Sequence, residues 1–267
     1  MRKTGWMIFI TMCICLLFAG NVVAGPALDR IQQRGELVVG TSGTQPPLTM
    51  KNKNGEVIGL DMDMATYMSA AMGVKLKKVQ MAFNELIPAL KAGKVDMIIS
   101  GMTMTPKRNM DVAFVGPYHI SGKGVLTKMD KVQMMQSPDS INTSSFRLVV
   151  LKGSTSQMIA EKVLPKAKLT PTKTLDEALD MLIKDQADAL IADYPTCAVM
   201  AFRHEDQKLA VGQAQLSYEP LGIAVAEGDP LFVNWVDNYL GMLKTTGEMK
   251  ALKKKWFEPG PWVKNLP

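Results

Sequence analysis

Two stretches decide the fold: Asn84–Gly101, NELIPALKAGKVDMIISG, and Asp176–Asp193, DEALDMLIKDQADALIAD. Each reads as a helix, a tight polar turn and an apolar strand. At a constant offset of 92 they share Glu85/Glu177, Leu90/Leu182, Asp96/Asp188 and Ile99/Ile191. A second echo pairs Leu37-Val38-Val39 with Leu148-Val149-Val150, each followed by a loop of Gly, Ser and Thr. Near-continuous apolar runs such as Asp96–Ser100, Leu148–Leu151 and Asp188–Ala192 suit parallel strands covered by helices on both faces. Helix signals lie between them. Asp61 precedes Met62–Met68 with Gly73 placed to end that helix, and Thr174 with Glu177 makes a capping box. Asn84 is placed to cap the helix of Leu86, Ile87 and Leu90, where Pro88 is tolerated because it sits near the first turn. The chain reads as α/β, and the repeat makes two similar lobes, each a small doubly wound sheet. In such sheets ligands bind beyond the carboxyl ends of the strands, so Gly101 and Asp193 should face each other across a cleft.

Composition narrows the function. Of 267 residues, 47% are hydrophobic and 21% charged, which excludes a disordered chain. The formal charge of +6 argues only weakly for nucleic acid, and none is expected as a partner. Two histidines, His119 and His204, and three cysteines leave little for a metal site, so neither metal nor cofactor is expected. No phosphate loop, HExxH helix, GxSxG elbow or paired-cysteine spacing is present after the N-terminal segment. The methionines read as adaptable core filler, and Lys253-Lys254-Lys255 as a solvated helix face.

The first 24 residues read as an export signal. Arg2 and Lys3 precede an uncharged apolar run from Trp6 to Gly20, and Val22 and Ala24 set small residues before a cleavage point. The run is shorter than the roughly 20 residues a spanning helix needs. An uncleaved anchor is the competing reading. Removing Arg2 and Lys3 from 31 basic residues leaves 29 against 25 acidic ones, a net of +4. Cys197 is then the one remaining cysteine, expected to be buried and inert. The mature chain is expected to be soluble and periplasmic.

Further motifs carry a resemblance. Leu86-Ile87-Pro88-Ala89-Leu90, Gly93-Lys94-Val95-Asp96 and Ser100-Gly101-Met102-Thr103-Met104-Thr105-Pro106-Lys107-Arg108 resemble the family-3 extracytoplasmic solute-binding proteins, the amino-acid receptors of ABC importers. Pro46-Pro47, Gly59-Leu60-Asp61-Met62-Asp63, Gly116-Pro117-Tyr118, Gly153-Ser154-Thr155, Ala192-Asp193, Gly222-Ile223-Ala224-Val225 and Lys255-Trp256-Phe257 continue it in order. The resemblance implies a type II periplasmic-binding-protein fold, two lobes closing on a ligand about two crossovers near Tyr118–Gly122 and Gln213–Glu219. Lobe one would comprise residues 25–119 and 217–267, and lobe two residues 120–216. A monomer is expected, delivering its ligand to an inner-membrane permease with its ATPase.

The resemblance also implies roles. An α-amino acid presents a carboxylate and an ammonium, and burying either charge is costly unless it is paired. Arg108 would clamp the carboxylate with the backbone N–H groups of Thr103 and Thr155, the latter at a helix start. Asp193 would take the ammonium, aided by the Gly101 carbonyl and the Thr103 hydroxyl. Phe83 would cover the ligand side chain from one side. Gln45 stands where the family has an aromatic on the other side, and Ser42 where receptors for basic amino acids carry an acid. Ser42 therefore speaks against Arg, Lys or His as ligand. Simpler roles stand beside these: a surface arginine, helix caps at Asp193 and Thr155, a core or staple phenylalanine at Phe83. The chain is expected not to be an enzyme. The alternatives are a periplasmic dehydratase of the same fold acting on prephenate-like acids, or a ligand-presenting partner of a membrane sensor. Dehydration needs a general acid, and no carboxylate besides Asp193 stands in a matching loop.

Overall fold

The computed structural model describes residues 27–135, 137–212, 217–258 and 260–266; the expected signal segment and most of the second expected crossover lie outside them. In chain order the elements are α1 (Ala27–Arg34), β1 (Glu36–Thr41), β2 (Thr44–Gln45), β3 (Thr49–Lys51), β4 (Val57–Ile58), α2 (Leu60–Ala71) and β5 (Lys75–Gln80). Then come α3 (Leu86–Lys91), β6 (Met97–Ile98), α4 (Pro106–Asn109), β7 (Ala113–Ser121), β8 (Lys123–Lys128), α5 (Pro138–Ile141) and β9 (Arg147–Leu151). The chain continues through α6 (Thr155–Val163), β10 (Lys168–Thr172), α7 (Leu175–Ile183), β11 (Ala189–Asp193), α8 (Tyr194–Arg203) and β12 (Leu209–Val211). It ends with β13 (Glu219–Val225), α9 (Pro230–Thr245) and α10 (Glu248–Phe257).

Ten of these strands form two five-stranded sheets, ordered β5-β1-β6-β13-β7 and β10-β9-β11-β8-β12. In each, the first three strands are parallel and the fourth runs antiparallel to both its neighbours. The antiparallel fourth strand is what the repeat did not announce, because both such strands, β13 and β8, lie next to the crossovers and outside the repeated units. The chain leaves the first sheet after Ser121 and enters the second at Lys123.

The repeated aspartates explain the echo physically. Asp96 accepts the Val38 backbone N–H at 2.8 Å and pairs with Arg30 and Arg34. Asp188 accepts the Arg147 backbone N–H at 2.8 Å and pairs with Arg147 and Lys131. Each carboxylate thus ties the strand it begins to the sheet's second strand, a charge-assisted bond that is stronger than a neutral one. The preceding turns match as well, with Gly93 (φ 67°) and Asp185 (φ 55°) both in the left-handed region. The shorter echo needs a correction. Val39 lies opposite Met97 and Leu148 opposite Ala189, so Leu148 corresponds to Val39 rather than Leu37. A slip of two residues preserves which side chains face which way, so the apolar pattern hid it.

Thr174 caps α7 through the Glu177 N–H at 3.1 Å, and Gly73 turns the chain at φ 68° after α2. Asn84, by contrast, caps nothing. The chain enters α3 through a 3-10 turn, Phe83–Glu85, which buries Phe83, and α3 has no side-chain cap. One apolar core joins the first sheet to α1, α2, α9 and α10 through Ile31, Leu37, Met64, Met68, Leu240 and Trp256. A second runs from Ile98 of the first sheet and Leu86 of α3 across to Leu151 and Leu190 of the second sheet and Leu175 of α7, so the two sheets meet through an apolar seam. No helix among the described residues is long and apolar enough to cross a membrane.

Candidate functional site

The carboxyl ends of β6 and β11 converge on a cavity of about 10 Å³ lined by Gln45, Phe83, Gly101, Thr103, Arg108, Lys123, Thr155 and Asp193, with Leu151, Leu175 and Ala192 as its apolar part. Seven of the eight residues expected at a site are on that wall. Ser42 is not; it stands behind Gln45, whose Nε2 donates to the Ser42 hydroxyl at 3.2 Å and to the Ser100 carbonyl at 2.8 Å.

Local structure fixes each group. Thr105 caps the single-turn α4 by accepting the Arg108 N–H, and Pro106 opens that turn. The Arg108 side chain is thereby aimed inward. Its Nη1 donates to the Thr103 carbonyl at 2.7 Å and its Nη2 to the Gly153 carbonyl at 3.0 Å, while the guanidinium lies 5.4 Å from the Phe83 ring centroid. Burial lowers the Arg108 guanidinium to about 10, with Glu219 and Asp193 pulling it back up, so it stays cationic at neutral pH. On the opposite sheet Ser154, not Thr155, caps α6, which leaves Thr155 as the first helical residue facing the cavity. Asp193 occupies the capping position of α8 but makes no side-chain cap bond. Its carboxylate goes to Lys123 Nζ at 2.5 Å instead.

Two site residues escaped the sequence reading. Lys123 is 3% exposed and sits directly opposite Asp193 in the antiparallel β8–β11 register. Opposite charges facing each other across a strand pair are a recognisable signal, but only once that pairing is known. Glu219 is also 3% exposed. Its Oε2 accepts from the Thr103 hydroxyl at 2.7 Å and the Thr155 hydroxyl at 2.8 Å, and its Oε1 from Ser217 at 2.7 Å. A second carboxylate therefore does stand at the cleft, against the expectation that Asp193 was alone. Burial pushes the Glu219 carboxyl up, but Lys123 and the hydroxyls of Ser217, Thr103 and Thr155 outweigh it and hold it below its ordinary range.

Behind the cavity Asp61, fully buried at the start of α2, accepts the Gly101 N–H at 2.8 Å and the Tyr118 hydroxyl at 3.0 Å. It holds the Gly101 turn (φ 55°) against β7. Burial raises its carboxyl to about 7, against the lowering pull of Tyr118 and Gly101. Between about pH 4 and 7 the folded chain then keeps a proton that the unfolded chain has released, so stability falls as pH rises through that window, by up to about 4 kcal/mol. Asp61→Asn should flatten that slope. Denaturant unfolding at about pH 5 and pH 7.5 reads it, and a variant with the parent's slope would refute the assignment.

Cys197 is buried, its thiol pushed up to about 12 by burial. Among the described residues no group of His, Cys, Asp and Glu is arranged to hold a metal ion.

Comparison with known proteins gives a consistent result. The ABC transporter arginine-binding protein 1 of Escherichia coli K12 is 27% identical over 224 residues, covering 82% of this chain and 89% of the relative. The cyclohexadienyl dehydratase of Pseudomonas aeruginosa is 23% identical over 247 residues, covering 92% of each. The crystal structure of a binding component of an ABC transporter from Wolinella succinogenes, complexed with lysine, superposes with a TM-score of 0.81 at 37% identity, covering 86% of this chain and 99% of that one. The sequence pattern of the bacterial extracellular solute-binding proteins, family 3, matches residues 37–259. Two sheets of matching topology, a charged cleft at their strand ends and a match across nearly the whole described chain place this protein in that family.

Proposed function

We propose that the protein is the substrate-binding component of an ABC importer: it captures an amino acid, or a polar molecule like one, between its two sheets and delivers it to an inner-membrane permease with its ATPase. The observation that carries this reading is that Arg108 and Asp193, 85 positions apart in sequence, line one cavity from opposite sheets. A guanidinium and a carboxylate across a cleft match the two charges of a zwitterion, with Thr103, Thr155, Gly101, Phe83 and Gln45 completing the wall and Ser42 supporting it. The cavity has room for about one water, so an amino acid enters only as the sheets part. The ligand then bridges both lobes and stabilises the closed state, a population shift. The lobes would be residues 25–119 with 217–267, and residues 120–216, hinging at Gly122 and before Glu219. The leading segment would be cleaved on export to the periplasm, and the protein would work as a monomer.

A dehydratase of the same fold needs a protonated acid over the leaving group. Glu219 is held ionised by Lys123 and three hydroxyls, which favours binding without catalysis. A thermal-shift screen against the twenty amino acids tests the reading: one or a few should raise the melting temperature in proportion to the logarithm of concentration. A screen with no shift at any concentration, or turnover of a prephenate-like acid, would overturn it.

A further inference from the structure

The charges around the cavity balance. Arg108 and Lys123 stand against Asp193 and Glu219, and Lys123 Nζ lies 2.5 Å from Asp193 and 3.6 Å from Glu219. The lysine and both acids are each only 4% exposed at the side chain, so water screens them little. A ligand carrying net charge would add an uncompensated charge to that cleft, which is costly, whereas a zwitterion with a neutral side chain would not. What stays unmatched is a pair of acceptors. Asp193 gives Oδ1 to Lys123, and no described residue donates to its Oδ2. Gln45 is 5% exposed and lines the same cavity. Its Nε2 donates to the Ser100 carbonyl and the Ser42 hydroxyl, and no described residue donates to its Oε1. A carbonyl oxygen only accepts, so the bond to Ser100 fixes which way round the Gln45 amide sits. Its Oε1 lies on the side of Gly101, another wall residue, 3.4 Å from where a Cβ there would stand. A buried carbonyl without a donor is costly until one is supplied.

We propose that Gln45 selects the ligand's side chain, so that the site takes a neutral α-amino acid whose side chain ends in an N–H or O–H donor, an amide or a hydroxyl. This rests on the amino-acid reading above and names its class. The α-carboxylate goes to Arg108, the ammonium to Asp193 Oδ2 and the side-chain donor to Gln45 Oε1, with Phe83, Leu151 and Leu175 as the apolar wall for the stem. The same carbonyl rejects as well as selects. A side-chain carboxylate would set oxygen against oxygen. A cationic side chain would find no acid, because Gln45 and Ser42 are both uncharged. An aliphatic one would leave Oε1 unpaired, the kind of loss that a site built around a hydrogen bond discriminates against strongly. The position is held by the fold. Gln45 sits on β2, paired with Thr49 of β3, and its amide is tied to Ser100, the residue before the Gly101 turn.

Calorimetric titration of the full chain tests this, comparing L-glutamine with L-glutamate, L-asparagine with L-aspartate, and these with serine, threonine, methionine, leucine, lysine and arginine. The tightest ligand should be an amide or hydroxyl amino acid, at least about tenfold tighter than methionine, leucine and every charged one. Gln45→Met, which removes the acceptor, should shrink the margin over methionine and leucine to about threefold or less. That variant also loses both bonds that hold the amide and can fail to fold; the wild-type comparison decides by itself. A wild type that binds a charged or aliphatic amino acid within about tenfold of its best amide or hydroxyl ligand overturns the role of Gln45 while leaving an amino-acid receptor standing. A margin over methionine that survives Gln45→Met does the same. Silence of the wild type toward every amino acid overturns both readings.

Discussion

Arg108→Ala should cut ligand affinity by about 3–5 kcal/mol, more than about a hundredfold. Two separate losses combine in that figure. The ligand carboxylate would be left inside the cleft without its cation, and the link from Arg108 Nη2 to the Gly153 carbonyl of the opposite sheet would go with it. Arg108→Lys should recover only a small part, since an ammonium cannot span two acceptors in the fixed fork of a guanidinium. Isothermal titration with the ligand found by thermal shift measures both. An alanine variant that binds within about threefold of the parent would remove Arg108 from the site and, with it, the receptor reading.

The largest expected effect on folding belongs to Gly59→Ala. Gly59 has φ 132° and ψ 176°, a region of backbone space that glycine alone occupies readily. A Cβ built there would stand 2.2 Å from the Leu48 carbonyl oxygen and 2.6 Å from its carbon. Neither is the end of a flexible side chain. The Leu48 carbonyl accepts the Asp61 N–H and the Pro47 carbonyl accepts the Leu60 N–H, so the loop cannot step aside without releasing the first turn of α2. The variant should lose at least about 3 kcal/mol of stability, read as a lower urea midpoint. A midpoint within error of the parent would mean that the loop moves at little cost. Affinity should fall too, because the same loop carries Gln45 to the cavity.

Much of this molecule was legible in the linear order of residues, and the limits of that legibility have physical causes. The 92-residue offset was readable because an aspartate just before a strand does the same task in both sheets, accepting a backbone N–H from the neighbouring strand. Arg108 and Asp193 both line the cavity and were singled out through the family resemblance. Lys123 and Glu219 were not. A lysine at the start of a strand ordinarily lies in water, and only antiparallel pairing of β8 with β11, a contact between residues about seventy positions apart, puts this one opposite an acid. Asn84 failed as a cap for a related reason: Phe83 is drawn into the apolar seam between the sheets, and the turn that buries it takes the chain into α3 by another route.

The placement of β13 fixes an order of assembly. The second sheet draws every strand from one continuous segment, residues 123–211, whereas the first must wait for residues 219–225 to insert between β6 and β7, and for α9 and α10 to cover its face. A chain emerging N-terminus first can therefore complete its later half before its earlier one. Until the final fifty or so residues arrive, β6 and β7 stand apart with unpaired edges, the interval in which such a chain is most open to mispairing.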